Sequence, residues 1–323
     1  MEIIKDPAAE QTPNKLSFKA DGWEFLGILI LNWILTSVTF FVYYPWARVA
    51  RLKFIYQSAR LNDTPFVFSG TGNELFKGFI KVLLLFGTMF GTSIWISYTH
   101  VEWSFILGYA YAVILLFLIP LAMHSALRYR LARTSWRGVF FGYRGERQQL
   151  MLEFVMGYVL VFLTGGLYTA WFVDGLRRYI IGNIRFGNLR FGFDGTGGKL
   201  FFIYAKGIFF GVLTLGIYYF WYMKEWMNYF AEHTFIEQGD KRFYLKPHYT
   251  GGAYFGLMIV NVLMLIFTFG LATPFVIIRT ATFVLTHLEV PQELNLDHIA
   301  QTEDEFADAT GEDVIDFLDL GII

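Results

Sequence analysis

Long apolar runs alternate along this chain with short segments rich in glycine and basic residues. Six runs stand out, at residues 25–47, 79–98, 105–123, 150–173, 200–223 and 254–278. Each has about the length that crosses or deeply enters a bilayer core, roughly 20 residues. None alternates over about ten residues in the manner of an outer-membrane barrel strand. The pattern predicts an all-α polytopic membrane protein with short β-hairpin and turn elements. Stretches such as TPFVF (residues 64–68) and LRFGF (residues 189–193) are β-prone and lead into glycine turns ahead of helices.

The runs also share a motif at their entry. FDGTGGKLF at residues 193–201 aligns with FSGTGNELF at residues 68–76, and weaker copies begin at Phe18, Phe141 and Tyr249. A second signature follows inside the runs: TFFVYYPW from Thr39, TGGLYTAW from Thr164 and TLGIYYFW from Thr214, each with Tyr four and Trp seven residues after Thr. TFGLATPF from Thr268 lacks the Tyr and Trp, and the second unit lacks the signature altogether. This register predicts five internal repeats, starting near residues 18, 68, 141, 193 and 249. Each repeat is an apolar helix, a Thr-x-Gly-x-Tyr break and a basic amphipathic helix. The expected domains are an N-terminal segment (1–17), a repeat-built membrane domain (18–290) and an acidic tail (291–323). The glycines do not form a phosphate loop, because Leu200 follows Lys199 and Phe193 stands five before Gly198.

Composition sharpens this picture. The chain of 323 residues is 55% hydrophobic and only 16% charged, where soluble domains carry about 25% charged residues. The net charge of -1 hides an asymmetry: residues 291–323 hold ten acids and no Lys or Arg, which leaves a net +9 on the rest. Basic flanks of apolar spans mark a cytoplasmic face, so the tail is expected there too. No short hydrophobic segment with a cleavage site precedes residue 25, so the first run reads as a retained anchor. The absence of cysteine excludes disulfides, thiol catalysis and cysteine-ligated metals. The six histidines lack ligand spacing and no G-x-S-x-G occurs. No enzymatic activity, metal, cofactor or nucleic-acid partner is expected.

Topology is where the signals conflict. Strict alternation of six spans puts residues 174–199, with Arg177, Arg178, Arg185, Arg190 and Lys199, on the same side as the uncharged loop 99–104 apart from its Glu102. That violates the positive-inside rule. Two solutions stay open: units that fold back at the break and return to one side, or six to seven ordinary helices with a weak charge bias.

Charged residues in or beside apolar runs are candidates for function. Glu153 and Lys206 lie deepest, Asp174 is within reach of Arg177 or Arg178 one turn on, and Glu24, Glu74, Lys224 and Glu225 sit nearer the ends. The breaks add Thr164, Tyr168, Thr214 and Tyr218 as candidate pathway residues. Arg48, Arg51, Lys53, Arg177 and Arg178 on the basic helices are candidates for anionic lipid headgroups or for docking the acidic tail.

The repeated aromatic-glycine entry, the LTLGIYYFW turn and the tail TEDEFADATGEDVIDFLDLGII together resemble the YjgN family of bacterial inner-membrane proteins, from Phe18 to the end of the chain. The resemblance implies an inner-membrane location and brings no assigned function or catalytic residues. Two readings compete. A small-solute or ion transporter or channel fits the repeats and broken helices; a non-transporting scaffold or lipid-interacting protein fits the abundant interface aromatics. The lipid bilayer is the expected partner in either case.

Overall fold

The computed structural model describes residues 14–297 and 299–301. Strand β1 (Leu16–Phe18) leads into α1 (Gly22–Val38) and α2 (Tyr44–Ser58). Strands β2 (Ala59–Leu61), β3 (Thr64–Pro65) and β4 (Val67–Phe68) carry the chain to α3 (Gly72–Thr99), a 3-10 turn (Val101–Trp103) and α4 (Ser104–Ala132). Next come β5 (Thr134–Trp136), β6 (Val139–Tyr143), α5 (Arg147–Leu163), α6 (Thr169–Gly182), β7 (Ile184–Phe186) and β8 (Leu189–Phe193). Then α7 (Gly197–Leu213), α8 (Tyr219–Glu232), β9 (Thr234–Gln238), β10 (Lys241–Tyr244) and β11 (Lys246–Pro247) lead to α9 (Gly251–Phe267), α10 (Thr273–Thr286) and β12 (Leu288–Glu289).

The chain is mostly helical, and its helices come as antiparallel hairpins. Four of the six apolar runs break into two helices each, while runs 79–98 and 105–123 fall within the long helices α3 and α4. The strand that enters each hairpin pairs antiparallel with the strand that leaves it: β1 with β2, β4 with β5, β6 with β7, β8 with β9 and β11 with β12. Both ends of every hairpin therefore lie on one side, which is the folded-back geometry.

The strands are more continuous than short isolated hairpins. Order β10-β9-β8-β7-β6-β5-β4 makes a seven-stranded antiparallel meander, beside the smaller sheets β1-β2-β3 and β11-β12. In the three-stranded sheet a tight turn joins neighbouring strands. Asn62 and Asp63 between β2 and β3 both have positive φ, at 50° and 59°, the conformation that matches strand twist in two-residue hairpins. Lys19 bonds Asp63 at 2.6 Å and holds its carboxyl below the usual range. Register between distant segments follows, as in Phe141 opposite Phe186 and Arg190 opposite Glu237.

The strands converge on one core of Leu61, Trp136, Phe186, Leu189 and Ile236, completed by Val290, Leu294 and Leu296 from the segment after β12. Asn14 Nδ2 donates to the carbonyls of Pro291 and Leu294, and Arg137 pairs with Asp297 at 2.9 Å. The start of the acidic tail thus docks on the strands. Residues 302–323, which hold most of its acids, lie outside the described residues.

The helices pack chiefly on their neighbours in chain order, and α10 returns to contact both α1 and β1. The hairpins consequently close a ring. Its seams are built from a recurring pair. Gly72, Gly197 and Gly251 open α3, α7 and α9 against Trp46, Trp171 and Trp221 of the preceding hairpin, and a Cβ at any of the three would overlap the indole. Gly22 opens α1 against Phe275 of α10 in the same way. The phenylalanine that replaces Trp in the fourth signature is the residue that seals the ring.

Candidate functional site

The Thr-centred breaks form the tips of four hairpins. Thr39, Thr164, Thr214 and Thr268 each end a helix, and each Oγ1 donates to the carbonyl four residues back, in Leu35, Leu160, Phe210 and Met264, at 2.6–2.7 Å. The same oxygens accept from the N–H four residues on, in Tyr43, Tyr168, Tyr218 and Ala272, at 2.9–3.0 Å. A third bond closes each turn, from the N–H of Phe41, Gly166, Gly216 and Gly270 to the carbonyl five residues back, at 2.7–2.8 Å. The turn demands positive φ, which glycine meets without strain at Gly216 (90°) and which Leu215 and Phe269 adopt at 51° and 50°.

The side chains at these tips point outward. Phe40, Leu215 and Phe269 are 88%, 94% and 97% exposed. Bulky apolar residues in left-handed conformations cost stability in water and gain nothing from packing here. A turn that bonds its own backbone and displays only apolar groups is suited to lipid, where no water completes the hydrogen bonding. Behind the tips, Tyr168 stacks on Trp171 and Tyr43 on Trp46, while Tyr218 meets Phe210 at 5.1 Å.

The charged candidates separate into distinct settings. Lys206 on α7 bonds Glu225 on α8 at 2.6 Å within the fourth hairpin. Lys206 also meets the side chain of Tyr218, the residue whose N–H bonds Thr214 in the turn, while Glu153 is exposed on α5. Asp174, 3% exposed, accepts from Tyr229 Oη at 2.6 Å and from Arg178 at 3.0 Å. Arg177 instead lies over the Phe230 ring at 4.1 Å. Glu74 caps the start of α3 with Thr71, accepts from Tyr129 Oη at 3.2 Å and pairs with Arg133 at 2.7 Å.

Tyr129 and Tyr229 were not marked by the sequence. Each sits near the end of a second helix and donates to an acid, Glu74 or Asp174, as well as contacting a backbone carbonyl at a helix start, Thr71 or Thr196. Their only sequence signal is an aromatic residue five positions before the next strand, which reads equally as an interface anchor. Asn261, 3% exposed, bonds Thr280 and Arg279 and escaped notice because a lone Asn in an apolar helix carries no motif.

The basic candidates lie along the second helices α2 and α6. Arg51 and Arg178 are exposed, Lys53 is half-buried and Arg48 is buried. Lys53 joins Tyr43, Trp46, Thr71 and Asn73 around a recess of about 320 Å³ at the α2–α3 seam. A second recess of about 400 Å³ lies along Ser104, Phe105, Gly108 and Tyr109 at the far end of α4. Tyr249, at the entry to α9, donates to the Val284 carbonyl at 2.9 Å, and burial pushes its phenol up to about 12. The Asp194 carboxylate, which accepts from the Tyr244 phenol, raises that group as well.

Among the described residues two helical stretches, Gly72–Thr99 and Val101–Ala132, are long and apolar enough to cross a membrane. Comparison with known proteins agrees with this character. Residues 13–210 and 240–317 match the family described as bacterial protein of unknown function DUF898. The chain is also 30% identical over 171 residues to a protein of Salmonella typhimurium strain LT2 named inner membrane protein YjgN. That match covers 53% of this chain and 41% of the relative, so the chain aligns with about two fifths of the relative's length. No solved structure matches. The chain belongs to the DUF898 family, the YjgN-type bacterial inner-membrane proteins.

Proposed function

We propose that this is a multi-pass inner-membrane protein, built from five related hairpin units, that binds and organises phospholipid and does not carry a solute or catalyse a reaction. The observation that carries this reading is the placement of the Thr-centred breaks. They stand at hairpin tips with their backbone bonded internally and with Phe40, Leu215 and Phe269 turned outward. A transport path through the breaks needs polar groups facing water at those points. Lipid contact needs apolar groups there and cations near the headgroups, which Arg51, Lys53 and Arg178 supply. The strands, the basic residues of α2 and α6 and the tail are assigned to the cytoplasmic side on the positive-inside rule.

Thermal unfolding of the purified full chain in vesicles tests the lipid arm. Vesicles containing phosphatidylglycerol are expected to raise Tm above phosphatidylcholine alone, and the triple variant R51Q/K53Q/R178Q to lose most of that gain. Equal Tm in the two lipids sinks the headgroup role.

A transporter or channel is the second reading, favoured by closure of the helices into a ring and by the Lys206–Glu225 pair between α7 and α8. Its measurement is release of trapped ions and small solutes from the same vesicles. The lipid reading expects rates no higher than protein-free vesicles, and saturable solute-selective flux overturns it.

A further inference from the structure

The five hairpins differ in how far charge-free helix extends from their tips, and that distance can be set against the bilayer. In α3 no charged residue follows Lys81 before the tip at His100, 19 residues or about 28 Å of helix. In α4 none follows Ser104 until Arg128, 24 residues or about 36 Å. Both match or exceed a hydrocarbon core of about 30 Å. Their tip carries His100 and Glu102, both exposed, as a segment emerging into water requires.

The other four hairpins stop short. Arg48, Asp174, Lys224 and Arg279 lie five to seven residues beyond Tyr43, Tyr168, Tyr218 and Ala272, about 8–10 Å of helix. On the first helices Glu153 and Lys206 precede Thr164 and Thr214 by 11 and eight residues, about 16 and 12 Å. These charges do not escape by extending toward the strands. Arg48 and Asp174 are buried, and Lys206 is held by Glu225 at 2.6 Å. A full crossing therefore places several charged groups near the bilayer centre, where each is costly. Insertion through one leaflet, about 15 Å, leaves them at or near the interface and still covers the apolar tips.

We infer that only one hairpin, α3–α4, crosses the bilayer, out along α3 and back along α4, and that α1–α2, α5–α6, α7–α8 and α9–α10 dip only one leaflet deep, so that acyl-chain ends near the midplane cover Phe40, Leu215 and Phe269. The ring is then a one-sided wedge fixed by a single through-going hairpin. Four hairpins that end at the midplane cannot wall a pore across both leaflets.

The naturally cysteine-free chain allows a direct depth measurement. F40C, L215C, F269C and H100C, each in the full chain, are labelled with NBD and reconstituted in phosphatidylethanolamine and phosphatidylglycerol vesicles. The lipids carry a nitroxide at acyl carbon 5 or carbon 12. The three tip labels are expected to be quenched more by the carbon-12 nitroxide and to resist dithionite on either side. The label at position 100 is expected to escape both nitroxides and to be reduced by dithionite wherever that face is exposed. Tip labels reduced by dithionite as readily as position 100 show that these hairpins cross, and stronger quenching by carbon 5 shows that they do not reach the midplane; either overturns the inference. The native side chains at the three tips are almost wholly exposed, so their loss removes little packing, and three independent positions guard against one misfolded variant. Depth is read in any bilayer, so failure of the anionic-lipid stabilisation leaves this result standing, and the converse holds too.

Discussion

Replacing Thr214 by valine keeps the shape of the side chain and removes its oxygen. The Phe210 carbonyl loses the hydroxyl at 2.6 Å but keeps the Thr214 N–H at 2.9 Å, so it remains bonded. The Tyr218 N–H loses the acceptor that stood at 2.9 Å. In water that group is hydrated and the net cost is about 0.5–1.5 kcal/mol. In lipid nothing replaces the acceptor, and the cost rises to about 1–3 kcal/mol. T214S retains both bonds and is expected to stay within about 0.5 kcal/mol of wild type. T214V/T268V should lose about the sum of the single variants, because the two turns share no partner. Reversible unfolding in bicelles titrated with a denaturing detergent measures wild type, T214V, T214S, T268V and the double variant on one scale. A T214V that unfolds with the wild type, or a T214S as unstable as T214V, refutes the view that these turns are self-bonded to survive away from water.

Three further outcomes follow from the packing. F275A opens the seam between α10 and Gly22 and should cost about 2–4 kcal/mol in the same unfolding assay, although its partner lies at the other end of the chain; a neutral F275A means that the ring is not closed there. D174A strips Tyr229 and Arg178 of a buried acceptor and should cost about 2–3 kcal/mol, with D174N costing less; equal losses show that the charge carries no part of the effect. The Tyr249 phenol is raised by burial, so its contribution is fully present below about pH 10 and is lost as pH rises toward 12. The stability gap between wild type and Y249F should therefore narrow over that window, and a constant gap contradicts the assignment.

Much of the helical architecture was readable in the residues. The Thr-x-x-x-Tyr-x-x-Trp spacing located three turns, and its degraded copy from Thr268 a fourth, because the physics is local: one hydroxyl bridges a carbonyl four back and an N–H four on. Glu74 stood near the end of an apolar run, and it caps α3 with Thr71. Its bonds to Tyr129 and Arg133 needed the fold, since those partners lie more than 50 residues away. The glycine entry and the tryptophan signature were both visible, yet nothing local says that Trp46 seats Gly72 or that Phe275 seats Gly22. The strands were legible as short β-prone runs, but the seven-stranded meander depends on pairings such as Phe191 with Ile236 that local sequence does not specify. The breaks drew attention as polar interruptions in apolar runs. Their position at tips, with the hydroxyl turned inward to the backbone, changes what chemistry they can offer.

The central claim is that every hairpin returns to one face, leaving the strands on one side of the membrane and the α3–α4 tip on the other. Side-specific labelling of single cysteines at Asp63, Arg190, Asp240 and Glu102 with a membrane-impermeant maleimide tests it most directly. Three of these positions lie in or beside strand turns, and Glu102 lies at the long tip. In intact cells stripped of the outer membrane, E102C should react and the other three should stay protected until the inner membrane is opened. A division of D63C, R190C and D240C between the two sides contradicts the account.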